Sequence, residues 1–375
     1  MQEDFHYYAT YCAAYLAGYS HEEALDICYS AQFVDLCSKT LLIKIKAPAL
    51  AATTQLQLEM MDSRTDILGI QDITRIWAAF HFLPKDLYAQ KAKRTKLYMN
   101  KYRLICGPNG DLVVKTVELA KNKPLASVGI AMHVLADTWA HSNFAGTPSL
   151  VINNVTSEVN EFVTSEDGQE IERRIKFRHN PSAADDLEKG LFTNSLYQGD
   201  EESIMNLGHG RAGHLPDYSF IKYRYVPAWN DYEDIVKDNP NDYIHAFTQM
   251  IRAMRYIRGD IDTFDKDTYD FEIIEPYRDR IEGIIRKRQL IASDDWKAFG
   301  EELSGEKIPD FDIEKYQDDY INANKRNKPF TFLGRFIMGA IAHKGMVANE
   351  IYKSGNLIAG FTKEISVGIR SEEAV

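Results

Sequence analysis

The chain has no C-x-x-C pair, and its four cysteines, Cys12, Cys28, Cys37 and Cys106, are too few to staple 375 residues. A disulfide framework is excluded, and the thiols read as reduced. No uninterrupted apolar run approaches the roughly 18 residues of a membrane span; the nearest, Phe332 to Ala348, is broken by Arg335, His343 and Lys344. The opening Met1-Gln-Glu-Asp-Phe-His is acidic where a signal peptide would be basic. These absences predict a soluble, cytoplasmic protein. Excess positive charge is missing too: the net charge is −11, which argues against an electrostatic hold on nucleic acid or an anionic membrane. An anionic substrate would need local positive charge, of the kind a metal site provides.

Missing motifs narrow the enzyme classes. There is no G-x-S-x-G elbow and no Walker loop ending in G-K-S/T. The adjacent His-Asp pair of HD-type phosphohydrolases is absent. A di-iron bundle needs two E-x-x-H elements, and only Glu3-x-x-His6 occurs. Gly208-x-Gly210-x-x-Gly213 matches a dinucleotide fingerprint, but no buried strand precedes it and the chain lacks βαβ alternation.

What is present is ample material for a core: 45% hydrophobic residues, with 18 Phe, 21 Tyr and 4 Trp, enough for one large or two ordinary domains. Helical spacing runs from Asp4 to Ala17, and Ser20-His-Glu-Glu23 is a capping box opening a helix to about Cys37. The pattern is mixed over 40–84, where Phe80-His81-Phe82-Leu83-Pro84 reads as loop. Lys85 to Tyr102 reads as a basic helix, and Asp111 as the cap of a helix from Leu112 to Ala120. Helical patterns resume at about 240–257, 276–288, 293–303, 312–324 and 331–353. Alternation over 157–178, with Val159 and Val163 on one arm, Ile171, Ile175 and Phe177 on the other, and Asp167-Gly168 at the turn, predicts a β-hairpin. The segment 180–228 reads as loops with short helices. The expected fold class is mainly α: a metal-binding core over 1–260 with the hairpin inserted, and a helical extension over 261–375 packing on the core or covering its site.

The most informative stretch is Gly129 to His141, which carries H-x-x-x-D-x-x-x-H inside an apolar run with no helix breaker after Pro124. Each four-residue step around a helix drifts only about 40°, so His133, Asp137 and His141 emerge from one face. Histidine and aspartate also occur inside helical proteins as polar groups satisfied by neighbours. A carboxylate unpaired among alanines, leucine and tryptophan is costly, however, and a cation is a common way to offset it. His6, Asp35, His81, His209, His214 and Asp217 complete the set of metal-competent side chains, and His214-x-x-Asp217 places two on one face at i and i+3. His21, His179, His245 and His343 read as ordinary packed or surface residues. So do the tyrosines over 87–102 and 218–232, because stacking platforms normally accompany a basic groove.

The ordered set resembles a known family. Asp-Phe-His at the start, a helix-borne Asp, the F-H-F-L-P loop, H-x-x-x-D with a further His, then H-x-x-D look like the zinc-dependent phospholipase C and single-strand-specific nuclease superfamily. More narrowly, the opening Asp-Phe-His-Tyr-Tyr-Ala-Thr-Tyr and Asp137-Thr-Trp-Ala-His141 are similar to an uncharacterised bacterial branch of it. The resemblance covers about residues 1–260. It implies a multi-helix phospholipase C-like core holding one to three zinc ions and hydrolysing phosphodiesters. Carried over, Asp35, His81, His133 and Asp137 would hold one zinc, His141, His214 and Asp217 a second, and His6 with a bridging Asp137 a third. Asp35 would also take a proton from the attacking water.

The chain departs from the family twice. Family members bind the third zinc through a processed amino-terminal tryptophan, whereas this sequence starts at Met1; Asp4 is the substitute ligand, and His209 a further candidate. The last histidine of the core helix falls four residues after Asp137 rather than six, which moves the second site or changes its metal. The expected function is metal-dependent hydrolysis of a small phosphoester, the alternative being a non-catalytic metal-binding protein with a structural or sensing role.

Overall fold

The structure, a computed structural model, describes residues 1–63, 67–156, 158–165, 167–178, 185–187, 191–192 and 207–360. The chain enters its first helix as a π-helical turn, Asp4–Ala9, which carries His6 and runs into α1 (Thr10–Leu16). Such one-turn widenings are frequent at functional sites. The capping box forms as expected: Ser20 Oγ accepts from Glu23 N, the Glu23 carboxylate accepts from Ser20 N, and α2 (His21–Phe33) follows. The mixed segment opens with a short helix, Lys39–Lys44, and goes on to α3 (Gln57–Ser63) and α4 (Ile67–Phe80); α4 stops where Pro84 approaches, leaving His81 on a loop.

Next come α5 (Asp111–Ala120) and α6 (Leu125–Ala140), the latter buried at nearly every position. A helix that is apolar all round belongs inside a protein, and α6 is surrounded by α2, α4, α5, α7 (Asn239–Arg258) and a long carboxy-terminal helix, α9 (Phe332–Lys353). Between the last two lies α8 (Ser293–Ser304). The basic segment expected as a helix from Lys85 is helical only over Lys96–Tyr102, because Thr95 caps it there: Thr95 Oγ1 accepts from Tyr98 N.

The hairpin forms from β1 (Asn160–Thr164) and β2 (Glu170–Arg174), with Val163 opposite Ile171 and Gly168 at φ +77° in the turn. It is half of a larger element. β3 (Lys222–Tyr225) pairs with β1, and β4 (Ile235–Asp238) with β3, giving a four-stranded antiparallel sheet of order β2-β1-β3-β4. The alternation Lys-Tyr-Arg-Tyr explains the pairing: Tyr223 and Tyr225 are fully buried, while Lys222 and Arg224 face out to Glu170 and Glu172. Tyr223 and Tyr225, in the segment read as loops, are thus packed aromatics on the inward face of a strand, while Tyr232 stays at the surface. Phe177, expected on the hairpin, belongs instead to a short parallel pair, Phe177–Arg178 with Leu191–Phe192.

The larger of two apolar clusters among the described residues runs from Met1 to Ala359, so the helices beyond residue 260 share it, while a smaller one lies beneath the sheet. Trp296 of α8 lies edge-on to Phe5 and stacks on Phe247, and Phe336 of α9 meets Phe33 of α2. No described helix is long and apolar enough to cross a membrane.

The crossing of α2 and α6 depends on Gly129. A Cβ there would stand 2.3 Å from Ile27 O and 2.5 Å from Ser30 Cβ, and beside it Ser30 Oγ donates to Ala126 O at 2.6 Å. Gly129→Val forces these backbones apart, and overpacking of this kind costs about 1–3 kcal/mol. Urea unfolding is expected to show a lowered midpoint with an unchanged slope.

Candidate metal centre

Five separate pieces of chain bring their polar side chains to the carboxy-terminal half of α6. The π-helical turn brings His6, the end of α2 brings Asp35, and the loop after α4 brings His81. Helix α6 contributes His133 and Asp137, and His141 is its C-cap. The loop 208–217 brings His209 and Asp217.

Asp137 is the hub. Its side chain is 1% exposed, and its Oδ1 lies 2.8 Å from the Met1 amine and 3.1 Å from His6 Nε2. Its Oδ2 lies 3.2 Å from His133 Nε2, 3.3 Å from His81 Nδ1 and 3.5 Å from His141 Nδ1. Burial alone would raise its pKa, but His141, the Met1 amine, His133 and His6 outweigh it and hold the carboxyl well below its ordinary value.

Around this hub the groups fall into overlapping sets. Asp35 Oδ1 is 3.7 Å from His81 Nδ1 and 3.9 Å from His133 Nε2, and those two nitrogens are 3.3 Å apart. With Asp137 Oδ2 they make four donors whose spacings match the roughly 3.4 Å edge of a tetrahedron of about 2.1 Å metal bonds. A second set is His141, His209 and Asp217: His141 Nε2 is 3.1 Å from Asp217 Oδ1, and His209 Nε2 is 3.5 Å from Asp217 Oδ2. His6, His133 and Asp137 form a third. The Met1 amine stands between sets, 3.1 Å from His141 Nε2 and 3.2 Å from Asp217 Oδ1. Its pKa rises to about 11: burial lowers it, but Asp137, Asp217 and Asp35 prevail.

Backbone carbonyls set the histidine tautomers. His81 Nε2 faces Thr53 O at 3.0 Å, His141 Nδ1 faces His81 O at 2.7 Å, and His209 Nδ1 faces Gly213 O at 2.8 Å. A carbonyl only accepts, so each of those nitrogens carries the hydrogen, and in the neutral ring the other nitrogen is the one free to offer a lone pair to a cation. Metal-ligating histidines are held in just this way. His6 and His133 stack at 3.9 Å with their Nδ1 atoms unpartnered. Burial, the largest influence on each, brings His6, His133 and His209 down to about 4, so all three are neutral near pH 7 and able to ligate.

Loop 208–217 is shaped by its glycines. Gly208, at φ +57°, leaves no room for a Cβ against the Phe82 ring, and that ring stacks on His141 at 4.8 Å. Gly213, at φ +58°, reverses the chain between two single 3-10 turns, Gly210–Ala212 and Leu215–Asp217. Asn239, at the start of α7, donates to Leu215 O and Tyr218 O at 2.8 Å and so fixes the turn that presents Asp217.

Of the residues expected from sequence, His6, Asp35, His81, His133, Asp137, His141 and Asp217 converge, and His209 joins them. His214 does not: its side chain is 52% exposed and its Nδ1 bonds Asp185 Oδ2 at 2.9 Å. The i, i+3 spacing that paired it with Asp217 assumed a helix through both, whereas His214 is only the N-cap of the single 3-10 turn that ends at Asp217. Asp4 is also engaged elsewhere, its Oδ2 accepting from Ala292 N ahead of α8 at 2.9 Å. His343 and His245 are packed within the fold, while His179 lies outside the described residues.

The pattern of a family of unknown function, DUF6765, matches residues 1–351. That span is most of the chain, which therefore belongs to this family. No curated protein and no solved structure matches it.

Two outcomes follow from this geometry. His209→Ala is expected to lower the metal bound per chain by elemental analysis, and His214→Ala to leave it unchanged. Because the folded pKa values of His6, His133 and His209 lie below the ordinary 6.5, the unfolded chain takes up protons first as pH falls from 6.5 to 4. Metal-free protein therefore loses stability across that window, by several kcal/mol in order of magnitude, and a denaturant series at stepped pH measures it.

Proposed function

We propose that this member of DUF6765 is a metal-dependent hydrolase, with zinc as its metal and a phosphodiester or phosphomonoester as its substrate. The observation that carries the proposal is the facing of ring lone pairs and carboxylates. Asp35, Asp137 and Asp217 converge, yet among the described residues no lysine or arginine pairs with any of them. Among the described residues, the Met1 ammonium is the one fixed positive charge in the cluster, against three carboxyl groups. His209 turns a lone pair on Asp217 with no donor between them, an arrangement that is repulsive until a cation enters.

Neutral imidazole nitrogens and carboxylate oxygens suit zinc. Asp35, His81, His133 and Asp137 would hold one ion and His141, His209 and Asp217 a second, while His6 with the other oxygen of Asp137 offers a third position. Bound zinc supplies an acidified water and polarises a phosphoryl oxygen. The resemblance to the zinc-dependent phospholipase C and single-strand-specific nuclease superfamily supports the same reading, since of the ligands it carries over all but His214 converge.

The chain's own groups have distinct work. Asp35 keeps 29% of its side-chain surface exposed, whereas Asp137 is sealed, so the cluster opens to solvent at Asp35. Burial raises the Asp35 pKa despite the opposing pull of His6 and His81, which suits a proton acceptor at the mouth. Asp137 stays ionised and bridges the sets. Phe82, against His141, and Trp77, 4.9 Å from the His81 ring, are apolar walls that keep two ligands in place. With Asp35 as proton acceptor rather than ligand, His81, His133 and Asp137 would hold the ion and leave its fourth position to water, the pattern of catalytic rather than structural zinc.

Purified protein is expected to carry one to three zinc ions per chain and to release nitrophenol from bis-para-nitrophenyl phosphate. Chelator should abolish the release and zinc restore it, and Asp35→Asn should lower it about 10²- to 10⁴-fold with metal retained. Full metal occupancy without turnover on any phosphoester would overturn the hydrolase and leave a metal-binding protein.

A further inference from the structure

The buried polar groups of α9 have no place in the chemistry above, yet two adjacent ones reach the scaffold of the cluster. His343 is 3% exposed and its Nε2 lies 2.9 Å from Ala79 O; Lys344 is 6% exposed and its ammonium donates to Ala52 O at 3.0 Å. Ala79 is two residues before His81, in the last turn of α4. Ala52 is followed by Thr53, whose carbonyl receives His81 Nε2. The same Thr53 ties back to the end of α2: its Oγ1 donates to Val34 O at 2.6 Å and its N to Cys37 O at 2.9 Å, on either side of Asp35. Lys344 thus holds from behind the one segment that orients His81 in front and brackets Asp35 at its flank.

From this placement we propose that His343 and Lys344 are positioning residues of the metal centre, setting the ring orientation of His81 and the reach of Asp35 through the carbonyls of Ala79, Ala52 and Thr53. The assignment rests on the metal-site reading above. Packing alone does not explain the choice of residues. Methionine would fill much the same space as Lys344, without the desolvation that draws its ammonium down to about 8. An ammonium on a buried carbonyl instead supplies a directional, charge-assisted bond. Partners of this outer kind typically change metal affinity 10- to 100-fold when removed.

The test is a cobalt(II) titration of folded, metal-free full-length chain, read by the visible ligand-field band and by competition with a chelator. Lys344→Met and His343→Leu are compared with wild type and with Ile351→Ala, a core truncation in the same helix at 1% exposure. The expected result is metal affinity lowered about 10-fold or more with an altered band in either α9 polar variant, while Ile351→Ala lowers the melting temperature and leaves affinity and band unchanged. Wild-type affinity and spectrum in both polar variants, or an equal loss in Ile351→Ala, would overturn the positioning role while leaving the metal site standing. A wild-type chain that binds no cobalt or zinc would overturn the metal site itself, and this role with it.

Discussion

A carboxylate sealed inside an apolar helix is the constraint around which the rest of the molecule is arranged. Asp137 sits in the last turn of α6, among alanines, leucine and tryptophan, and water cannot reach it. An isolated charge there is costly, so compensating polar and positive groups must come to it from elsewhere in the chain. They come from the amino terminus, the loop after α4, and α6 itself one turn before and one turn after. Each arriving imidazole then needs its own second partner, and backbone carbonyls of Thr53, His81 and Gly213 supply three of them. Demand for polar partners in a dry interior thereby propagates outward from one residue to the loops that encircle it.

The fold meets that demand through close approaches. Gly129 lets α2 lie against α6, which brings Asp35 to the cluster; Gly208 makes room for the Phe82 ring, which in turn braces His141. Asn239 gathers the carbonyls of residues 215 and 218, so that the start of α7 sets the direction of Asp217. These contacts join segments far apart in sequence, and α9 adds the last of them. The carboxy-terminal helices are therefore part of the same core and lie directly behind the ligands.

How much of this was legible depended on whether the signal was local. Four-residue spacing on a long apolar helix exposed His133 and Asp137, a proline two residues past Phe82 marked His81 as loop-borne, and the capping box located α2. Local patterns failed where geometry was set by distant contacts. His214 shares a favourable spacing with Asp217, but it merely caps the short turn that carries Asp217 and bonds Asp185, while His209, on the far side of Gly213, takes the place expected of it. The glycines at 208, 210 and 213 were the available sign that this loop reverses sharply. β3 and β4 are four residues each, too short for a period to register, and tyrosine serves a strand face and a surface equally well. The π-helical turn at His6 leaves no mark in the sequence pattern, and its partner Asp137 lies far along the chain.

Convergence of neutral imidazoles and ionised carboxylates, with too little fixed positive charge to balance them, is the central claim, and it concerns cations before it concerns catalysis. The most direct measurement is anomalous diffraction above and below the zinc edge from crystals grown with zinc. The account predicts a peak bounded by Asp35, His81, His133 and Asp137 and a second beside His141, His209 and Asp217, both vanishing below the edge. A well-ordered crystal in which the same side chains close on one another, with water or nothing between them and no anomalous signal, would contradict it.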